Sequence, residues 1–517
     1  MYKNIPEILL DKVKYFKNKK IIYHKEKSLS YEQIINYSLN FSKFLNQFNL
    51  KDGDNISICM NKNFNQIIAI TACLFSNFTF VPILPKLNKD TITHIIKDSK
   101  SKLVITDKFR YAEIDKNFFK NILIFDDSIF RKISRIELLK IKKNFLKTIK
   151  KDDNAAIIYS SGSTGMPKGI IIPHKNLVKG AFIVSDYLGT KHSDKILGIL
   201  SFNFDYGLNQ LWQCYLKGSS LHLFDYIFAK DLLHFIQKEK ITVLPLMPVI
   251  MTLAFQETIR KKFNNIRYIC TSGGPVEKKL IVKLKKIFPK AKIYLMYGLT
   301  EAFRSTFLEP KKALIKYDSI GQSIPSVKIH ILNSKLEDCK VGEIGELVHR
   351  GGCISKGYFN DKIKTNKIFK KIKRFPKEVV VFSGDLVRKD KDGDIYFVGR
   401  KDSLIKTAGY RVSPTEIEKI IQKIPQIKFA VACGVYDSVK GQKIICAYTS
   451  YNKKKISKNL LSNHSRNLFP SYMKPEKYIF FKNFPVTGNQ GKINRTQIIK
   501  KIKKNDYNIK KKDPLFN

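Results

Sequence analysis

Ala155-Ala156-Ile157-Ile158-Tyr159 runs directly into Ser160-Ser161-Gly162-Ser163-Thr164-Gly165-Met166-Pro167-Lys168-Gly169. The apolar run reads as a short buried strand. The small residues after it let a backbone wrap close to a polyphosphate, with amide N–H groups and hydroxyls as donors and Lys168 as counter-charge. A nucleotide-hydrolase P-loop is excluded, because Gly162 to Lys168 has the wrong spacing and Gly169 stands where that motif has its magnesium-binding Ser or Thr. A Ser/Gly-rich turn is also what an ordinary flexible loop looks like. The Thr-Gly-Met-Pro-Lys-Gly ending favours phosphate binding.

The same alternation continues outward. Ile196–Leu200, Leu221–Phe224, Ile241–Leu246, Ile266–Cys270 and Ile293–Met296 read as further buried strands, and Val276, Leu280, Leu284 and Ile287 recur at helical spacing between two of them. Ser30-Tyr31-Glu32-Gln33 is a capping box opening a helix with Ile34, Ile35, Leu39, Phe44 and Leu45 on its apolar side. Strands alternating with helices imply an α/β fold with a largely parallel sheet. After about residue 320 the texture changes: Gly342, Gly345, Gly351, Gly352 and Gly357 punctuate short segments, as in a twisted β-subdomain or barrel. Past Gly399 a smaller unit is expected, with a hairpin to Val412, a helix from Pro414, strands at Phe429–Gly434 and Lys443–Tyr451, a helix near Leu460 and a basic tail.

The chain has 517 residues, more than one core normally organises, so at least two domains are expected. Its net charge of +51 admits an acidic partner such as nucleic acid, a membrane surface or a phosphorylated cofactor. Lysines are spread along the whole chain beside abundant Ile and Asn, which reads as a general bias in residue usage. Ile241–Gln256, the longest uncharged apolar stretch, is broken by Pro245 and Pro248 and is too short to span a bilayer. The start lacks the apolar core and cleavage site of a signal peptide. The eight cysteines are scattered without a CxxC pair and the nine histidines without metal-ligand spacing, which points to a reducing cytoplasm and to no permanently held metal.

Four more segments carry chemistry. Tyr297-Gly298-Leu299-Thr300-Glu301 follows an apolar strand, at the carboxyl end where open sheets place ligands. There Thr300 could bond a phosphate and Glu301 could ligate Mg²⁺ arriving with a nucleotide, or the segment could be an ordinary strand-to-helix turn. In Ser383-Gly384-Asp385-Leu386, an aspartate on a tight turn can accept two bonds from ribose hydroxyls. Gly399-Arg400-Lys401-Asp402-Ser403-Leu404-Ile405-Lys406-Thr407-Ala408-Gly409-Tyr410-Arg411 begins at the expected domain boundary. Pro485-Val486-Thr487-Gly488-Asn489-Gln490-Gly491-Lys492-Ile493-Asn494-Arg495 carries a glycine-flanked lysine.

In this order the five segments resemble the adenylate-forming (AMP-binding) superfamily, which holds acyl-CoA synthetases, peptide-synthetase adenylation domains and firefly luciferase. Pro173–Leu177 and Gly345–Gly351 extend the resemblance over nearly the whole chain. Asn203–Gln210 and Tyr297–Arg304 look most like AMP-forming acyl-CoA ligases of the exosortase-associated type, with stand-alone adenylation enzymes as near relatives. The resemblance implies an N-terminal adenylation domain over 1–401, a large α/β domain with parallel sheets and a β-subdomain, and a small mobile α+β domain over 402–517. It implies ATP contacts at Ser160, Ser161, Gly162, Ser163, Thr164, Gly165 and Lys168. Gly273, Gly274 and Tyr297 would flank the adenine, and Asp385 would bind the ribose with Arg400 assisting. Thr300 would meet the α-phosphate, Glu301 the Mg²⁺, and Lys492 the α-phosphate and the carboxylate. Asp402 would be a hinge, Gly409, Tyr410 and Arg411 the loop serving a thiol step, and Phe204, Asp205, Tyr206, Asn209 and Ser272 the acyl pocket.

The implied function is ATP-dependent activation of a carboxylic acid, followed by transfer to CoA or to a carrier-protein phosphopantetheine. A buried Asp205 could instead receive an α-ammonium group, as in a stand-alone amino-acid adenylation enzyme, or simply bond to backbone. No carrier-protein domain is expected after Lys492, no transmembrane segment and no nucleic-acid partner. Salt-sensitive duplex binding would be the sign of a nucleic-acid protein, and oxygen uptake that of a luciferase-like oxidase.

Overall fold

A computed structural model describes residues 2–136, 149–160, 166–226, 228–255, 259, 261–407, 410–437, 441–457, 459–463, 469, 473–487 and 492–510. They form two compact units, Met1–Ile329 with His349–Val381, and His330–Val348 with Phe382–Asn517.

The strands of the first unit that carry the argument are, in chain order, β1 (Lys20–His24), β2 (Lys27–Ser30), β3 (Asn55–Cys59), β4 (Thr79–Pro82), β5 (Leu103–Thr106), β6 (Ile122–Ile124), β7 (Asn154–Ser160), β8 (Lys168–Pro173), β9 (Lys195–Gly198), β10 (Ser220–Leu223), β11 (Val243–Leu246), β12 (Tyr268–Thr271), β13 (Lys292–Leu299), β14 (Ala302–Leu308) and β15 (Ser319–Ser323). One sheet runs β6-β5-β3-β4-β7-β8 and is parallel except for the β7–β8 pair. In the other, β13-β12-β11-β9-β10-β1 are all parallel, with antiparallel β2 at one end and β14 and β15 at the other.

Short runs of Ile, Val and Leu buried on both faces are what parallel strands covered by helices require. In the first sheet, Ile56, Ile58, Phe80, Leu103 and Ile158 pack into the large core, whereas Val81, Val104, Ile157 and Tyr159 pack into a second cluster with Ile92, Ile95 and Ile96. The period-2 alternation of a strand assigns the two sets.

The expected strands are present with edges shifted by one to three residues. The capping box forms as read: Ser30 Oγ accepts from Gln33 N at 3.2 Å and Gln33 Oε1 from Ser30 N at 2.9 Å, opening the helix Tyr31–Leu45. Phe41 rather than Phe44 is fully buried there, stacked on Phe125 at 4.2 Å. In Lys278–Ile287, Ile281 joins Leu284 and Ile287 inside, while Val276 precedes the helix.

In the second unit, Asp385–Lys389 pairs antiparallel with Ile395–Arg400. The expected hairpin joins Ile405–Thr407 to Tyr410–Val412, and Pro414–Ile421 is helical. A three-stranded sheet follows, with Ile427–Asp437 antiparallel to Gly441–Ser450, which is parallel to Lys477–Phe480. Ala430 and Ala432 face Ile417 and Ile421, and the alternate residues Val431 and Cys433 face Ile498 and Ile502 of the helix Arg495–Lys510. One small sheet thus carries a helix on each face.

Those helices are tied by charge. Glu418 is buried, accepts from the Ala432 N–H at 2.7 Å, and receives Arg495 through Nη1 at 2.7 Å and Nη2 at 2.6 Å. Removing the arginine strands a carboxylate that burial already disfavours. Because the Arg495 side chain is 41% exposed, the cost is discounted from a fully buried pair, and Arg495→Ala is expected to lose about 2 kcal/mol. Urea unfolding of the full chain checks this, and a loss indistinguishable from zero would refute it.

Candidate active site

The site candidates in the first unit lie at carboxyl ends of parallel strands. Tyr297, Thr300 and Glu301 end β13, Ser272, Gly273 and Gly274 follow β12, and Phe204 and Asp205 follow β9. Carboxyl ends of parallel strands form the crevice in which open α/β sheets hold ligands.

Tyr297–Glu301 is not a strand-to-helix turn. The strand runs on to Leu299, turns at Thr300–Glu301 and returns antiparallel as β14, with Leu299 paired to Ala302. Glu301 is fixed from another direction, since the Tyr358 hydroxyl donates to its Oε1. Tyr358 belongs to a segment added to β8: Gly357 O accepts from Ile171 N and Gly169 O from Phe359 N, at 2.9 and 2.8 Å. Asp361, at its end, pairs with Lys168 at 3.5 Å. One short segment thus links the lysine of the glycine-rich stretch to Glu301. Neither Tyr358 nor Asp361 was singled out in the sequence, because a Gly-Tyr-Phe-Asn-Asp run carries no signal until it pairs.

The strands on either side of the glycine-rich stretch, β7 and β8, pair antiparallel, with Ser160 opposite Lys168. Ser161, Gly162, Ser163, Thr164 and Gly165 lie outside the described residues. Gly169 is required by close approach, since a β-carbon there would stand 2.6 Å from Ile157 Cγ2 and 2.9 Å from Tyr159 Cζ.

Of the residues expected to line an acyl pocket, Asp205, Tyr206 and Asn209 lie on the helix Asp205–Lys217. Gly207 lets its first turn lie against the preceding loop, because a β-carbon would meet Ser201 O at 1.9 Å. Phe204 is the residue before that helix, Tyr206 is buried with its hydroxyl donating to Cys270 O at 2.8 Å, and Asn209 accepts from Gln213 at 2.8 Å. Ser272 is buried one residue past β12. Asp205 lies deep enough that burial raises its pKa, and nearby Glu301 adds to the rise, whereas Arg304 and the Tyr206 N–H oppose it. Arg304 was not singled out in the sequence. The available signal was an arginine as the one charged residue of the stretch Ala302–Leu308.

In the second unit Asp385 lies on the long strand Phe375–Lys389 rather than on a free turn, after Gly384 at φ +71°. It is buried, and its Oδ1 accepts from Arg400 Nη1 at 2.7 Å, which also donates to Ser383 O at 3.0 Å. Asp402 sits in a short 3₁₀ turn and Lys492 begins a two-residue strand paired to Val486–Thr487. Gly409 lies outside the described residues, as do the side chains of Asp402, Tyr410, Arg411 and Lys492.

Residues 10–359 match the family described as AMP-binding enzyme, and residues 416–491 match its C-terminal domain. The chain belongs to that family. Curated relatives of this AMP-binding enzyme include tyrocidine synthase 1 of Brevibacillus parabrevis, 27% identical over 95% of this chain and 44% of that protein. Gramicidin S synthase 2 of Brevibacillus brevis is 26% identical over 92% of this chain and 10% of that protein. The chain therefore spans less than half the length of either relative. Its fold matches that of o-succinylbenzoate CoA synthetase (MenE) of Bacillus subtilis in complex with the acyl-adenylate OSB-AMP, at TM-score 0.83 and 21% identity over 95% of this chain and 97% of that one. It also matches ATP-bound MatB of Rhodopseudomonas palustris, at TM-score 0.83 and 20% identity over 97% and 99%. Among the described residues of this AMP-binding enzyme, no helix is long and apolar enough to cross a membrane.

One histidine braces the hairpin that carries Glu301. His349 is fully buried, with Nδ1 3.0 Å from Ser305 Oγ and Nε2 2.8 Å from Gly352 O. Burial lowers its pKa to about 4, and that of buried His174 likewise. An unfolded histidine titrates near 6.5. The unfolded state thus binds more protons as the pH falls from about 6.5 to about 4, and stability is lost over that window and complete above it. The expected loss is roughly 3 kcal/mol per histidine. Unfolding across this range should show it, with a shallower dependence in His349→Asn.

Proposed function

We propose that the chain is an AMP-forming acid–thiol ligase of the acyl-CoA synthetase type. It would join a carboxylic acid to ATP as an acyl-adenylate with release of pyrophosphate, then pass the acyl group to a thiol of CoA or of a carrier-protein phosphopantetheine with release of AMP. The observation that carries this reading is the arrangement in the first unit. The segment Tyr358–Asp361 links the phosphate-type hairpin of β7 and β8 to Glu301, at the strand ends where the acyl-pocket residues also gather.

The residues fit their roles chemically. A carboxylate oxygen attacks the α-phosphorus and the bond to pyrophosphate breaks, so two anions must meet. Lys168, Thr300 and the hydroxyl and amide donors of Ser160–Gly165 take the phosphates, and Lys492 takes the charge developing between α-phosphate and carboxylate. Glu301 fits a magnesium ligand, because its oxygen is held by a neutral phenol and no lysine or arginine among the described residues pairs with it. Bound Mg²⁺ would supply charge neutralisation at the polyphosphate. Asp385, held in place by Arg400, takes the ribose, and Gly273, Gly274 and Tyr297 flank the adenine. We place the boundary of the mobile domain at 401/402, with Asp402 as its hinge and Gly409–Arg411 serving the thiol step. The sequence of Asn203–Gln210 favours the exosortase-associated group of these ligases, and the cytoplasm, where ATP and CoA are at hand, suits the reaction.

The second reading, a stand-alone amino-acid adenylation enzyme loading a carrier protein, is supported by the desolvated carboxyl of Asp205, which an ammonium group would relieve. Carboxylate-dependent ATP–pyrophosphate exchange, run over amino acids and plain acids, separates the two. Lys492→Ala should lower exchange on the order of a hundredfold or more while largely retaining ATP affinity, because a charge used in the transition state contributes little to ground-state binding. Preformed acyl-adenylate should rescue thioester formation in Lys492→Ala and not in a Gly409→Leu variant whose exchange survives. Equal failure of both would dismiss the rotation of the small domain.

A further inference from the structure

Arg304 is 4% exposed, on β14, three residues after Glu301. Its Nε and Nη2 are buried with no hydrogen-bond partner. Its guanidinium carbon lies 4.3 Å from the ring centre of Tyr206 and 5.1 Å from that of Phe303. No carboxylate among the described residues forms an ion pair with it, although Asp205 is close enough to feel its charge. Its backbone is left-handed, at φ +55°, a conformation uncommon for a residue with a β-carbon. A cation taken out of water and left without a counter-ion is strongly disfavoured. A protein holds one there when the counter-ion arrives with the ligand.

We propose that Arg304 receives a second carboxylate on the acid that this enzyme activates, so that the substrate class is dicarboxylic acids activated at one end. This deepens the ligase reading and rests on it. Three observations bear on the choice. Arg304 neighbours Tyr206, which with Asp205 and Asn209 belongs to the helix assigned to the acyl pocket. The two unpartnered donors, Nε and Nη2, form the side edge of a guanidinium that matches both oxygens of one carboxylate. Arg350 uses that same edge in this chain, with Nε to Glu378 Oε2 at 2.8 Å and Nη2 to Oε1 at 2.9 Å. Finally, the aromatic faces beside Arg304 hold the cation without competing for those donors.

An ammonium on Asp205 would share the pocket with the guanidinium, so an amino acid with an apolar side chain leaves one cation uncompensated. An amino acid with a side-chain carboxylate satisfies both groups.

The test is pyrophosphate exchange in the full-length enzyme with malonic, succinic, glutaric and adipic acids, their mono-methyl esters, monocarboxylic acids of equal length, aspartic and glutamic acids, and valine and leucine. The expected result is a kcat/KM for a diacid or acidic amino acid on the order of a hundredfold above its half-ester or apolar counterpart. Arg304→Met should collapse that ratio toward one, and Arg304→Lys, which keeps the charge without the fork, should leave an intermediate value. The diacid to half-ester ratio in the unmodified enzyme stands whether or not the variants fold. Preference for monoacids, half-esters or apolar amino acids, or an unchanged ratio in a folded Arg304→Met, overturns the inference and leaves the ligase reading intact. Absence of exchange with every acid overturns the ligase reading and the inference together.

Discussion

A β-carbon at Gly298 would stand 2.9 Å from both the backbone nitrogen and the Cα of Arg304. The hairpin of β13 and β14 depends on that missing side chain. With it gone, β14 crosses close enough for the register to slip between Tyr297 and Leu299, for Arg304 to take a left-handed backbone, and for Thr300 and Glu301 to occupy the tip. From there the constraint spreads. Ser305 meets His349, Glu301 meets Tyr358, and Tyr358 reaches β8 and the hairpin carrying Lys168. The acidic tip, the basic strand and the pocket helix take their positions from one tight approach of two backbones.

That dependence explains what was legible in the sequence. Strands such as Ile293–Met296 announce themselves because a parallel strand covered on both faces has to be continuously apolar, and Ser30 with Gln33 announces a helix because capping is local. The motifs at strand ends stood out because their glycine and hydroxyl spacing is what a backbone close to phosphate would require. Tyr358, Asp361 and Arg304 could not. Their meaning comes from contacts between segments 57 residues apart, as for Glu301 and Tyr358, and from burial, which no local spacing encodes. Phe41 joined Phe44 on the apolar side of its helix, more deeply buried, for a similar reason: its stacking partner Phe125 is far away in the chain.

The net charge of +51 belongs to the surface. Inside, charge is handled singly and with care. Glu418 has Arg495 and a backbone N–H, and Asp385 has Arg400. Lys62 ends on the carbonyls of Gly198 and Phe224, and burial lowers its pKa to about 8 despite nearby Asp225. His349 stays neutral between two fixed partners. A chain this basic gains nothing from an additional cation unless a partner accompanies it, so a buried arginine with two idle donors is more informative here than anywhere on the outside.

Asp205 and Arg304 then read as a matched pair of demands on the ligand. The carboxyl is desolvated and would be relieved by a positive group or by a proton, and the guanidinium would be relieved by a negative group. If they satisfied one another directly, the idle Nε and Nη2 would be engaged and the pair would act as an inert wall. They do not reach one another. Each therefore keeps its preference, and under the proposed reading the pocket would discriminate by what it leaves unsatisfied: an apolar acid would bury a guanidinium with two idle donors, whereas a second carboxylate would engage them.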